Sequence, residues 1–238
     1  MPSTSPRVML KLSGEVLAGE TKTGLNPNVL NSVALELKTA LDQGARAAVV
    51  LGGGNIFRGL GAAASGMDRV TADQMGMLAT VINGLALRDA IERMGGEAKL
   101  FTAFQIGPVG ALYQAEKARK ALDGGKIAIL SGGTGSPFFS TDTAAALRAA
   151  ELGCRLLLKG TKVDGVYDKD PEKFPDARRF DEITIDDALA LRVGVIDLTA
   201  ATLCRENNID IRVYRMTDPD VIQKAALGEP MGSLIKAK

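Results

Sequence analysis

The chain has 238 residues, 46% of them hydrophobic, with 29 basic against 28 acidic side chains. This supports a sizeable core and argues against disorder, and the near-zero balance without a basic block argues against nucleic acid or a membrane surface as partner. Histidine is absent and aromatic residues make up 4%, which removes imidazole acid–base chemistry, His-ligated zinc and base-stacking platforms.

No apolar run approaches the roughly 18 residues of a membrane span. Residues 1–7 lack an apolar signal core, so a cytoplasmic location is expected. Cys154 and Cys204 lie far apart in apolar surroundings and read as small core residues.

In chain order, residues 8–12 are a short apolar run that stops at Ser13-Gly14-Glu15, which predicts a first strand with Lys11 near its end. Asn26-Pro27 opens a helix on which Leu30, Val33, Ala34, Leu37 and Leu41 recur at helical spacing, and Gly44 ends it. Residues 47–51 predict a strand buried on both faces, running into Gly52-Gly53-Gly54-Asn55 and then Arg58. Residues 71–94 predict a long helix, apolar nearly all round and therefore buried on both sides, one of them a subunit interface. Asp73 is expected in its first turn, complementing the helix dipole or meeting a ligand. A strand over 98–102 and a helix over 113–122 follow.

The richest stretch is residues 131–143, between an apolar strand at 127–130 and a helix at 141–152. In an open parallel sheet, ligands bind outside the carboxyl ends of the strands. Gly132, Gly133 and Gly135 permit positive φ, Thr134, Ser136, Ser140, Thr141 and Thr143 supply hydroxyls, and a helix start favours anions. Asp142 stands alone among these donors and is expected to orient a lysine or a metal ion. The plainer alternative is a glycine turn in which Thr141 or Asp142 caps the helix.

A strand over 155–159 comes next, then an irregular region over 160–179 in which Asp164, Asp168 and Asp170 suggest a calcium loop. Counting from Asp164, the third position is Val166 and the twelfth Pro175, so EF-hand ligation fails. Helices are expected over 183–191 and 198–207, with Asp197 just before the second, then a strand over 211–214, a helix over 219–227 and an edge strand over 231–235. Regular strand–helix alternation implies a parallel sheet with helices on both faces.

Three strand ends carry glycines, and Lys11, Arg58, Lys159 and Lys162 supply cations, a combination suited to a phosphate-rich ligand. Neither standard phosphate loop is present: Lys126 follows two glycines but precedes Ile127, and after Gly52 and Gly54 the third glycine's place holds Phe57. The residues alone leave phosphoryl transfer and simple anion binding open.

Six segments, at 11–15, 52–59, 73–77, 133–142, 162–167 and 197–200, resemble those of the bacterial UMP kinases of the amino acid kinase superfamily, in the same order and spacing. They include Lys-Leu-Ser-Gly-Glu, Gly-Gly-Gly-Asn-Ile-Phe-Arg-Gly and Gly-Thr-Gly-Ser-Pro-Phe-Phe-Ser-Thr-Asp. The resemblance spans essentially the whole chain. It implies a single domain, a three-layer α/β/α sandwich around a mostly parallel sheet, with an acceptor half over about 1–153 and an ATP half over about 154–238. It also implies a homohexamer that moves the γ-phosphoryl of ATP onto UMP with Mg²⁺, responding to GTP as activator and UTP as inhibitor.

Under this resemblance, UMP contacts fall on Gly53, Asp73, Thr134, Gly135, Ser136, Pro137, Phe138, Phe139, Ser140 and Thr141. ATP contacts fall on Lys11, Leu12, Ser13, Gly14, Gly54, Arg58, Thr161, Lys162, Tyr167 and Asp170. Lys11, Arg58, Asp142 and Asp197 carry the chemistry, no metal-binding side chains are assigned, and the GTP-linked segment matches residues 19–24. Asp73 reads ribose hydroxyls, Tyr167 packs against adenine, and Asp197 either supports Asp142 or simply caps its helix. Two rival readings remain: a kinase of the same superfamily acting on a carboxylate or carbamate, and a non-catalytic anion-binding relative.

Overall fold

The computed structural model describes residues 5–21, 23–58, 66–191 and 193–238. Residues 1–4, Lys22 of the expected effector loop and Gly59 of the second glycine segment lie outside the described residues.

The chain opens with β1 (Arg7–Leu12), the short α1 (Gly14–Leu17) and α2 (Pro27–Asp42), followed by β2 (Arg46–Leu51) and α3 (Arg69–Arg93). Next come β3 (Ala98–Thr102), β4 (Ala111–Leu112), α4 (Ala115–Asp123), β5 (Ile127–Ser131), α5 (Thr141–Leu152) and β6 (Leu156–Thr161). The remainder is β7 (Val166–Tyr167), β8 (Arg179–Phe180), β9 (Glu182–Thr184), α6 (Ile185–Ala190), α7 (Leu198–Glu206), β10 (Asp210–Arg215), α8 (Val221–Leu227) and β11 (Ser233–Lys236).

Among the described residues, nine strands form one sheet in the order β4-β3-β5-β2-β1-β6-β10-β11-β9. All neighbours pair in parallel except β10 and β11, so β11 and β9 run against the rest. From β1 the chain builds outward first on one side and then on the other. The ends of β1, β2 and β6 therefore form the switch point at which an open α/β sheet leaves a crevice.

Side-chain alternation along β1 sorts the two layers. Val8, Leu10 and Leu12 face a core with α2, α3 and α8, while Met9 faces a core with α4, α5 and α7. The helices stop and start where side chains satisfy their end groups. Asn26 caps α2 by accepting from the Asn28 and Val29 amides, and Gly44 beyond its end has φ 84°. Cys154 and Cys204 are both in the core, where burial pushes their thiols up to about 12.

Several sequence expectations are corrected. Residues 183–191 are not one helix: β9 occupies their start and α6 begins at Ile185, because Ile183 pairs with Ile235 of β11. The last strand is not an edge, since β11 lies between β10 and β9. The helix expected from 113 begins at Ala115, after β4. The helix α5 is capped by Ser140, whose Oγ accepts from the Asp142 and Thr143 amides at 3.0 Å each, not by Thr141 or Asp142. Asp68 caps α3, so Asp73 lies in its second turn, too far along for a simple dipole role. Not corrected is the long helix: one side of α3 is buried within the chain, and Met75, Leu78 and Ile82 are exposed on the side expected to meet another subunit.

Candidate active site

Lys11 on β1 and Lys159 on β6 occupy paired positions on neighbouring parallel strands. Their side chains leave the sheet on the same face, so two ammonium groups are forced together at the switch point. That repulsion is relieved by Asp142, which the Ser140 cap places in the first turn of α5. Lys11 Nζ lies 3.0 Å from Asp142 Oδ1 as an ion pair outside good hydrogen-bond alignment, and Lys159 Nζ donates to Oδ2. Lys159 Nζ also donates to the Val195 carbonyl oxygen.

These three side chains are only 12–13% exposed. Burial pushes the Asp142 carboxyl up, but the Lys11 and Lys159 charges outweigh it and hold the acid below its usual range. Burial also pulls the Lys159 ammonium down, against the pull of Asp142.

Asp142 sits between two clefts. The larger, about 880 Å³, lies between α3 and the loop preceding α5 and is lined by Gly53, Arg58, Asp73, Phe138, Thr141 and Asp197 among others. The smaller, about 300 Å³, is lined by Lys11, Ser13, Glu15, Lys159, Thr161 and Lys162. It shares Val163, Gly194 and Val195 with a third recess of about 350 Å³ that carries Tyr167 and Asp170. These volumes lie in the range of small-molecule sites.

Glycines let the strand ends approach. A Cβ on Gly14 would collide with the Gly52 carbonyl oxygen, and one on Gly53 would meet Ala79 and the Gly76 oxygen of α3. The turn after β2 is locked by a fully buried amide pair. Asn55 Nδ2 donates to the Gly24 oxygen at 2.7 Å and to Asn83 Oδ1 at 3.0 Å, while Asn83 Nδ2 donates to the Gly52 oxygen and to Asn55 Oδ1, both at 2.7 Å. Asn83→Ala strands the Gly52 carbonyl and half of the Asn55 amide away from water. A stability loss of about 2–3 kcal/mol is expected from a denaturant midpoint, and a shift under 0.5 kcal/mol would count against a locked turn.

In the larger cleft, Asp73 accepts Arg69 Nε at 2.9 Å on both oxygens and the Phe138 amide at 2.7 Å. The Arg69 guanidinium also lies 5.1 Å from the centre of the Phe138 ring. Phe138 has φ 71°, a costly conformation for a residue with a side chain, held by these contacts. At the opposite wall Asp197 caps α7 through the Ala200 amide at 2.9 Å and accepts from Thr143 Oγ1 at 3.0 Å and from Ser140 Oγ. One carboxylate thus ties two helix starts together.

Most of the residues singled out in the sequence come together at these clefts. Gly54 and Arg58, assigned to the ATP side, line the larger cleft, although the Arg58 guanidinium reaches Glu15 on the rim of the smaller one. The Leu12 side chain is fully buried and leaves only its backbone for a ligand. Thr134 turns its hydroxyl into its own loop, accepting the Ser136 amide at 3.1 Å, while Gly135 donates its amide to the Gly132 oxygen and Pro137 is half-buried. Tyr167 donates its hydroxyl to Asp164 at 2.7 Å.

Two residues were given no role from the sequence, Glu15 and Arg69, and Lys159 was read only as one of four cations suited to a phosphate-rich ligand. The signals were present. Lys159 ends a strand as Lys11 does, Glu15 follows the first glycine turn, and Arg69 precedes Asp73 by one helical turn.

Paired lysines sharing a carboxylate at the switch point of an α/β sheet suit a protein that handles phosphate anions. The chain belongs to the amino acid kinase family, which matches residues 6–215. It is 49% identical over 232 residues to the uridylate kinase of Xanthomonas euvesicatoria, covering 98% of this chain and 97% of that one. The UMP kinase structure from Bacillus anthracis superposes with a TM-score of 0.92 at 35% identity, covering 98% and 97% of the two chains. That from Ureaplasma parvum gives 0.91 at 35% identity, covering 98% and 99%.

Proposed function

We propose that this protein is a UMP kinase, transferring the γ-phosphoryl group of ATP to UMP to give UDP and ADP. The observation that carries this reading is the Lys11–Asp142–Lys159 cluster, set between one cleft for the acceptor and a connected pair of recesses for the donor. An oxygen of the UMP phosphate attacks the γ-phosphorus, the bond to the bridging β-oxygen breaks, and its electron pair leaves with ADP. The acceptor is already an anion, so no base is needed and the lack of histidine costs nothing. The site's task is to align two polyanions and offset the charge that develops between them. Lys11 and Lys159 are pre-positioned for that, with Asp142 keeping them in register.

The chain then reads as one domain, with an acceptor half to about residue 153 and a donor half beyond it. Asp73 retains a lone pair on Oδ1 for a ribose hydroxyl, and the third recess takes the adenine beside Tyr167 and Asp170. Asp197 acts by holding Ser140 and Thr143 in place. Among the described residues no three metal-ligating side chains cluster. Glu15, which lines the smaller cleft, and Asp142 beside it are both committed to cations. Mg²⁺ therefore fits as the ATP chelate, held chiefly by phosphate oxygens.

Oligomerisation and regulation extend the same reading. The exposed Met75, Leu78 and Ile82 at helical spacing on α3 suit a subunit contact within a homohexamer. GTP activation and UTP inhibition rest on the family resemblance. The Gly24–Asn55 contact gives a movement of the 19–24 segment a route to the glycine turn. A cytoplasmic setting follows from the substrates.

The test is ADP release measured with UMP, CMP, acetylglutamate and aspartate as acceptors. Turnover with UMP is expected; turnover on an amino acid but not on UMP would overturn the assignment.

A further inference from the structure

Asp142 is not the only carboxylate beside the smaller cleft that bridges two cations. Glu15, just past the end of the central strand β1, binds Arg58 Nη2 through Oε1 at 2.8 Å and Lys162 Nζ through Oε2 at 2.7 Å. Arg58 comes from the turn after β2 and Lys162 from the turn after β6, the strands on either side of β1. One side chain therefore spans the mouth of the cleft and holds a cation from each rim.

The two bridging carboxylates differ in their surroundings. Asp142 and its lysines are almost shut away from water, whereas the Arg58 and Lys162 side chains are 64% and 62% exposed. Exposed ion pairs are weak and easily exchanged. Lys11, Arg58, Lys159 and Lys162 set against Asp142 and Glu15 leave the cleft with a surplus of two positive charges, 4 − 2. Without Glu15 the surplus would be three, and the two rim cations would have nothing to hold them in place.

We infer that Glu15 is a positioning residue and a built-in counterion: it holds Arg58 and Lys162 on the two rims while the donor site is empty and yields them to the donor's phosphate chain. This rests on the phosphoryl-transfer reading of the cleft. It follows that Glu15 competes with every polyanion that enters. A chain of three phosphates can engage both released cations, whereas a shorter anion loses one carboxylate's worth of attraction without replacing it on both sides. Glu15 thereby weakens anion binding while placing the cations for transfer.

The experiment compares wild type with Glu15→Gln, measuring inorganic triphosphate affinity by calorimetry and steady-state kinetics with ATP and UMP. One unit charge removed at this range should tighten triphosphate binding about 3- to 10-fold, while kcat falls several-fold and the KM for ATP does not rise. Triphosphate binding no tighter than wild type, or an unchanged kcat, would overturn the inference. A merely structural role would weaken binding together with turnover. If Glu15→Gln does not fold, Glu15→Asp decides. It keeps the charge but is too short to reach both cations, so it should bind triphosphate within about twofold of wild type yet lose kcat, and an undiminished kcat sinks the idea. A wild-type protein that fails to turn over UMP with ATP would instead refute the underlying assignment, leaving the two failures distinct.

Discussion

Asp142→Asn is expected to lower kcat by about 100-fold or more with the fold intact, because losing a preorganised charge at the transfer point costs this much in comparable sites. The amide cannot neutralise Lys11 and Lys159, which stand at paired positions on β1 and β6 and would repel each other out of register. Circular dichroism and the oligomeric state should match wild type; unfolding instead would make Asp142 a structural residue. The same substitution changes the acid response. With its pKa held below the ordinary 3.8, Asp142 contributes stability that is complete above that value and lost as pH falls through the lower folded value. Removing it should therefore make the acid-unfolding limb less steep, and an unaltered limb would contradict the depressed pKa.

Asp73→Asn should raise the KM for UMP about 10- to 100-fold, the worth of a hydrogen bond to a charged group, with the KM for ATP changed less than about threefold. The physical basis is local. Asp73 lines the larger cleft and anchors both Arg69 and the strained Phe138 amide. An Asn oxygen in the place of Oδ2 can still accept from Arg69 and from the Phe138 amide, but the charge is lost and the amide nitrogen in the place of Oδ1 can accept neither Arg69 nor a ribose hydroxyl. Equal rises in both KM values would place Asp73 outside the acceptor site.

The two outcomes separate the clefts. Asp142, between them, should affect the chemical step; Asp73, confined to one, should affect one substrate. Asp197 lies across the larger cleft from Asp73, and among the described residues its hydrogen bonds are structural, to the Ala200 amide and the Thr143 and Ser140 hydroxyls.

Much of this was legible along the chain because it depends on near neighbours. Apolar runs at 8–12, 47–51 and 127–130 gave strands, and the Asn26 and Asp197 caps marked helix starts. The glycine turns at strand ends pointed to the crevice. Residues 183–191 misled because their apolar spacing suits a helix, while pairing with β11, about fifty residues onward, claims the first two for a strand. No local propensity reports such a partner.

Residue types and local periodicity thus decided the parallel α/β class, the phosphate-handling character and the candidacy of Lys11, Arg58, Asp73 and Asp142. Which charges meet was decided only by folding. The register of β1 against β6 sets Lys11 opposite Lys159, the Ser140 cap swings Asp142 between them, and strand order brings Arg58 and Lys162 to the two sides of Glu15. Electrostatic energy depends on separations of a few ångströms between groups distant in sequence, and those separations exist only once the sheet has closed around its central strand.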